Sequence, residues 1–160
     1  MRFPDQLTVV ASDRRTGAPV ANVALLLRLF AARKNDYGVG PLISDEKGEA
    51  VFARVECEFA IRRSKEMFLM DYHDNLEDCR PFIEINLHPA ELVERMIQQY
   101  RDAPTFWGPG FRDPERLFAA LQGVKNVEYE SASIKLSEEQ VLSNPRIELL
   151  LTKVHEAPGS

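Results

Sequence analysis

In the first half of the chain, apolar residues recur at every second position; at Pro89 that period gives way to helical spacing. A period of two sets one face of a strand against a core, whereas a period of 3.6 sets a stripe along a helix. Leu7, Val9 and Ala11 alternate with Thr8, Val10 and Ser12, which predicts a first strand. Residues 20–30 are apolar on both faces and predict a central strand, covered on one side by later helices. A loop is expected over 34–41, rich in glycine and ending in proline, and a hairpin is expected around Asp45-Glu46-Lys47-Gly48. Short strands are expected over 58–62 and 67–72, with a polar loop over 73–81. Ile83, Ile85 and Leu87 share one face of a further strand.

Beyond Pro89, residues Leu92, Val93, Met96, Ile97 and Tyr100 fall on one helical stripe. Asp113-Pro114 reads as the cap and first residue of a second helix carrying Leu117, Phe118 and Leu121, with Gly123 as its stop. Ser137 and Gln140 have capping-box spacing, and Ile147, Leu149 and Leu151 mark a last strand. The expectation is one domain over residues 1–160. It is mainly β, an antiparallel β-sandwich of transthyretin or immunoglobulin type, with a helical insertion at about 89–142 before the last strand.

A chain of 160 residues can build a core without a disulfide or metal, and none is called for here as a cofactor. The formal net charge of −5 disfavours nucleic acid and anionic membrane as partners. No apolar run approaches the length of a membrane helix. The opening residues lack the apolar stretch of a signal peptide, which predicts a cytoplasmic protein where Met1 is the native start. On that reading Cys57 and Cys79 are reduced thiols.

Leu7-Thr8-Val9-Val10, Asp13, Thr16-Gly17-Ala18-Pro19-Val20, Asn22-Val23-Ala24-Leu25-Leu26-Leu27 and Ser44 to Phe52 form a connected pattern. It resembles the transthyretin-like and carboxypeptidase-regulatory-like group of prealbumin-type sandwiches, over the first third of the chain. The resemblance implies the fold and leaves the activity open, because sandwiches host many unrelated functions. The hydroxyisourate hydrolase branch carries a histidine in its first strand and a closing Tyr-Arg-Gly-Ser. This chain has neither, and ends Ala157-Pro158-Gly159-Ser160. The closely spaced histidines of the intradiol dioxygenases are missing as well.

The polar run Asp71-Tyr72-His73-Asp74 offers a metal reading: Asp71 and His73 would share a strand face, with His88 and Tyr37 completing a shell. Strand-end polarity accounts for the same run, so Asp71, His73 and His88 are weak metal candidates. Cys79 stands between Asp78 and Arg80, a mixed setting for a nucleophile. Asp45 and Glu46 read as a hairpin tip before they read as calcium ligands. No Gly-x-Ser-x-Gly elbow and no phosphate-cradling glycine loop occurs. Thr105-Phe106-Trp107-Gly108-Pro109-Gly110-Phe111 holds the only tryptophan between two expected helices. Aromatic side chains on a rigid loop anchor protein partners, and they also plug gaps in cores.

The sequence therefore favours a non-catalytic protein-binding or adaptor domain, with Phe106, Trp107 and Phe111 as binding residues. A small metal-dependent enzyme with a site near His73 is the alternative. A third reading is a structural subunit that self-associates through exposed strand edges.

Overall fold

The structure is a computed structural model; it describes residues 1–31, 36–68, 75–103 and 113–154, with side chains throughout these except at 64–68. Among the described residues, seven strands form two sheets. The first sheet holds β1 (Gln6–Asp13), β4 (Glu49–Ala53) and β7 (Arg146–Leu151) in the order β4-β1-β7. The second holds β2 (Ala24–Ala31), β3 (Asp36–Ile43), β5 (Cys79–Leu87) and β6 (Ser133–Ser137) in the order β3-β2-β5-β6. Every pairing is antiparallel except β1 with β7. That parallel pair departs from the all-antiparallel expectation. It follows from the last strand entering beside the first in the same direction, with Thr8 opposite Arg146 and Asp13 opposite Leu151.

The alternation read from the sequence is the one the sheets use. Leu7, Val9 and Ala11 of β1, Leu25, Leu27 and Leu29 of β2, and Ile83, Ile85 and Leu87 of β5 are buried. They meet Phe52, Leu149 and Leu151 in one hydrophobic core shared by both sheets. Asp13 and Asp45 build the turns. Asp13 Oδ1 accepts from the N–H groups of Arg15 at 2.8 Å and Thr16 at 3.0 Å. The Thr16 contact is the main reason the Asp13 carboxyl is held below its ordinary range. Asp45 Oδ1 accepts from Lys47 and Glu49, each at 2.9 Å, so this carboxylate is spent on a turn. Gly48 stands at φ +75°, where a Cβ would lie 2.5 Å from the Ala11 carbonyl oxygen. The turn is tight as expected, but β3 and β4 then enter different sheets, so the connection crosses between sheets and is not a hairpin within one.

Three further expectations need correction. Residues 36–41 are strand, not loop: among the described residues β3 is an edge strand paired with β2 alone, and an edge tolerates Pro41 with a register shift beside it. Residues 58–62 are helix, not strand, within α1 (Arg54–Phe68), which also takes in Met67 and Phe68. Cys57, Ala60 and Ile61 of α1 are buried at helical spacing, and Glu and Arg around them favour helix. The two small residues made that stripe hard to read. Finally, the stretch 89–142 is not purely helical. It contains α2 (Ala90–Asp102), α3 (Pro114–Leu121), a 3-10 turn at Asn126–Glu128, the edge strand β6 and α4 (Glu138–Ser143).

The helix signals otherwise worked. Asp113 caps α3, its side chain accepting from Arg116 N–H, with Pro114 in the first turn. Ser137 and Gln140 form a reciprocal capping box on α4. Val93, Met96 and Ile97 of α2 meet Leu117, Leu121 and Val124 over Ala24 and Ile43 in a second, smaller core. Leu92, expected on that stripe, is among the exposed apolar residues. Tyr100 and Phe118 stack with ring centroids 4.3 Å apart where α2 ends. Among the described residues, no helix is long and apolar enough to cross a membrane.

Candidate functional site

Of the residues singled out in the sequence, Phe106, Trp107 and Phe111, and likewise Asp71 and His73, lie outside the described residues. His88 is described. It directly follows β5, an inner strand of the second sheet, and is buried, 7% exposed. Its backbone N–H donates to Ala24 O at 2.9 Å, and neither ring nitrogen has a hydrogen-bond partner among the described residues. Burial pushes its pKa below the ordinary 6.5. Tyr37, considered as its co-ligand, pairs with Leu29 on the inward face of β3, five residues along β2 from Ala24, or about 16 Å. The structure therefore separates the two. Among the described residues, no group of three histidine, cysteine, aspartate or glutamate side chains could hold a metal.

Cys57 and Cys79 are buried thiols with no disulfide between them. Burial, followed by the nearby Cys79 and the flanking glutamates, pushes the Cys57 thiol up to about 12. A nucleophilic cysteine needs the opposite shift.

Two features carry more chemistry. The first is the outward face of the four-stranded sheet. The helices α2 and α3 cover its Ala24 end. Toward the other end, Phe30 of β2 and Phe82 of β5 are half-buried, with ring centroids 4.9 Å apart. Lys135 Nζ of β6 stands 4.3 Å from the Phe82 centroid, and the Arg28 guanidinium 5.3 Å from that of Phe30. Arg28 is held in place by Asp36 at 2.5 Å and Glu84 at 3.5 Å. Strand alternation produces this face, since Arg28 and Phe30 are the positions that Leu27 and Leu29 leave outside.

No protein-family model, curated protein or solved structure matches this chain.

The second feature is a cavity of about 890 Å³ between the N-terminal segment, α1, and the turn at Asn75–Glu77. The Met1 ammonium closes one wall by donating to the carbonyls of Leu76 at 2.9 Å, Glu77 at 2.7 Å and Cys79 at 3.0 Å. Sequence reasoning missed this site, because its walls come from segments that no local pattern links. The one local signal is the i, i+4, i+8 spacing of Arg54, Glu58 and Arg62, which puts them on one side of α1. A smaller cavity of about 180 Å³ lies between β3, α1 and α3, with Asp113 on its wall.

Proposed function

We propose that the protein is a non-catalytic protein-binding or adaptor domain built on a transthyretin-type sandwich. Two sheets around one core, with the first strand between β4 and the last, support that fold reading, together with the sequence pattern of the first third. The observation that carries the function is the Phe30–Phe82 pair flanked by Arg28 and Lys135 on the outward sheet face. Aromatic side chains and arginine are enriched at the centres of protein interfaces. Arg28 is already fixed by two carboxylates, so ordering it on binding costs little further entropy. The partner is a protein that lays apolar side chains over the two rings and an acidic one against Lys135. Phe106, Trp107 and Phe111, which lie between α2 and α3 in the sequence, remain binding residues in this reading.

A photo-cross-linking residue at position 135 tests it, with position 51 on the other sheet as control. The partner linked from 135 and not from 51 is then purified and titrated. Phe30→Ala, Lys135→Glu and Trp107→Ala should each weaken it by about tenfold or more, in protein whose circular dichroism is unchanged. Equal affinity in the face variants would remove the sheet face from the interface.

A further inference from the structure

We propose that the cavity beside α1 is a binding site for a short peptide with apolar side chains and two free termini. This is independent of the sheet-face interface. The volume of about 890 Å³ lies in the range of sites for drug-sized ligands, which holds a few residues of chain.

The walls define what such a ligand carries. Phe3, Ile61, Leu76 and Leu142 supply apolar surface. Two of the arginines on the wall are already engaged. Arg2 pairs with Glu138, and Arg54 with the Asp5 carboxylate and the Phe3 carbonyl. The Met1 ammonium has its three carbonyls. Three charged side chains of the wall have no ion-pair partner among the described residues: Arg62, Glu58 and Glu77. Glu58 stands one helical turn before Arg62 on α1, an arrangement that suits a pair, and yet no ion pair joins them. A guanidinium and carboxylates without ion-pair partners among the described residues, over an apolar floor, complement a zwitterion. The peptide carboxylate goes to the Arg62 fork and its ammonium to Glu58 and Glu77. A simple anion would meet two carboxylates, and a simple cation would meet Arg62 with the charges of Arg2 and Arg54 behind it. Only a ligand with both charges satisfies the three groups together.

The test uses the full chain and trileucine, followed by calorimetry and by the methyl resonances of Ile61 and Leu142. Two blocked forms, N-acetyl-trileucine and trileucine amide, each remove one charge. The expected result is binding of trileucine with both methyl signals shifted, and a loss of about tenfold on blocking either end. Arg62→Ala should weaken trileucine by a similar factor and leave the amide unaffected. Glu58→Gln should weaken trileucine and leave the acetylated form unaffected. Both residues are exposed, so neither substitution disturbs the core. No binding of trileucine tighter than about 1 mM would overturn the proposal, as would equal binding of the doubly blocked peptide. Variant effects that persist when the matching charge on the peptide is gone would overturn the assignment of ends.

Discussion

The core shared by the two sheets and the small core under α2 and α3 are built on opposite principles. The first is continuous: strand faces from both sheets, closed by α1, contribute fully buried Phe52, Leu7, Leu25, Ile83 and Leu151. The second has three buried residues, Ala24, Val93 and Leu121. Beside its apolar contacts with Ala24 and Ile43, the junction with the sheet carries a polar clamp. Asn126 is buried, and its side chain bridges the start of β2 to the end of β5. Its Nδ2 donates to Ala24 O at 3.0 Å and His88 O at 2.8 Å, and its Oδ1 accepts from Ala24 N–H at 2.8 Å. A large apolar core resists local opening because its contacts are lost together, whereas a small core pinned by a few directional bonds opens by itself.

The largest effect should come from breaking the first core. Phe52 is fully buried opposite Leu7. Phe52→Ala should lower global stability by about 3–5 kcal/mol, seen as a shifted denaturant midpoint with all probes moving together. A loss confined to the first sheet would mean that the two sheets do not share their stability.

Asn126→Ala comes next. It leaves Ala24 N–H and His88 C=O buried without their partner, at a cost of about 2–3 kcal/mol. Asn126→Asp keeps the acceptor for Ala24 N–H and loses both donated bonds, so it should be no better than alanine. If Asp restores wild-type stability, the clamp rests on the Ala24 N–H bond alone. Leu121→Ala should cost about 2 kcal/mol, felt almost wholly within α2 and α3. Hydrogen exchange would then quicken in those helices and leave β2 and β5 unchanged. Equal acceleration in the strands would merge the two cores into one.

The contrast also explains what could be read from the sequence. Leu7, Val9 and Ala11, or Ile83, Ile85 and Leu87, declare their strands because one buried face imposes a strict period. Asp113-Pro114 and Ser137 to Gln140 declare helix starts because the capping groups are local in sequence. Cys57, Ala60 and Ile61 hid α1, since two of the three are small and the charged residues around them mask the stripe. Gly38, Gly40 and Pro41 hid β3, since only its place at a sheet edge makes them acceptable there. Asn126 carries no local signal, because its value comes from Ala24 and His88, far off in the chain. The cavity was invisible for the same reason: Phe3, Arg62, Leu76 and Leu142 become neighbours only in the fold.

The smallest expected effect is a pH dependence seated beside that clamp. His88 is buried with both ring nitrogens unpartnered among the described residues, and desolvation lowers its pKa below 6.5. Above 6.5 the imidazole is neutral whether the chain is folded or unfolded, and its contribution is fully present. As pH falls below 6.5 the unfolded chain takes up a proton that the folded one resists, so stability declines until the folded-state pKa is reached. One such group sets a slope of at most about 1.4 kcal/mol per pH unit. Chemical denaturation between pH 7 and pH 5 should show the decline, and His88→Phe should flatten it. Because His88 follows the clamped end of β5, hydrogen exchange at pH 5 should quicken in α2 before it quickens in β1. An acid limb unchanged in His88→Phe would assign the pH dependence to other groups.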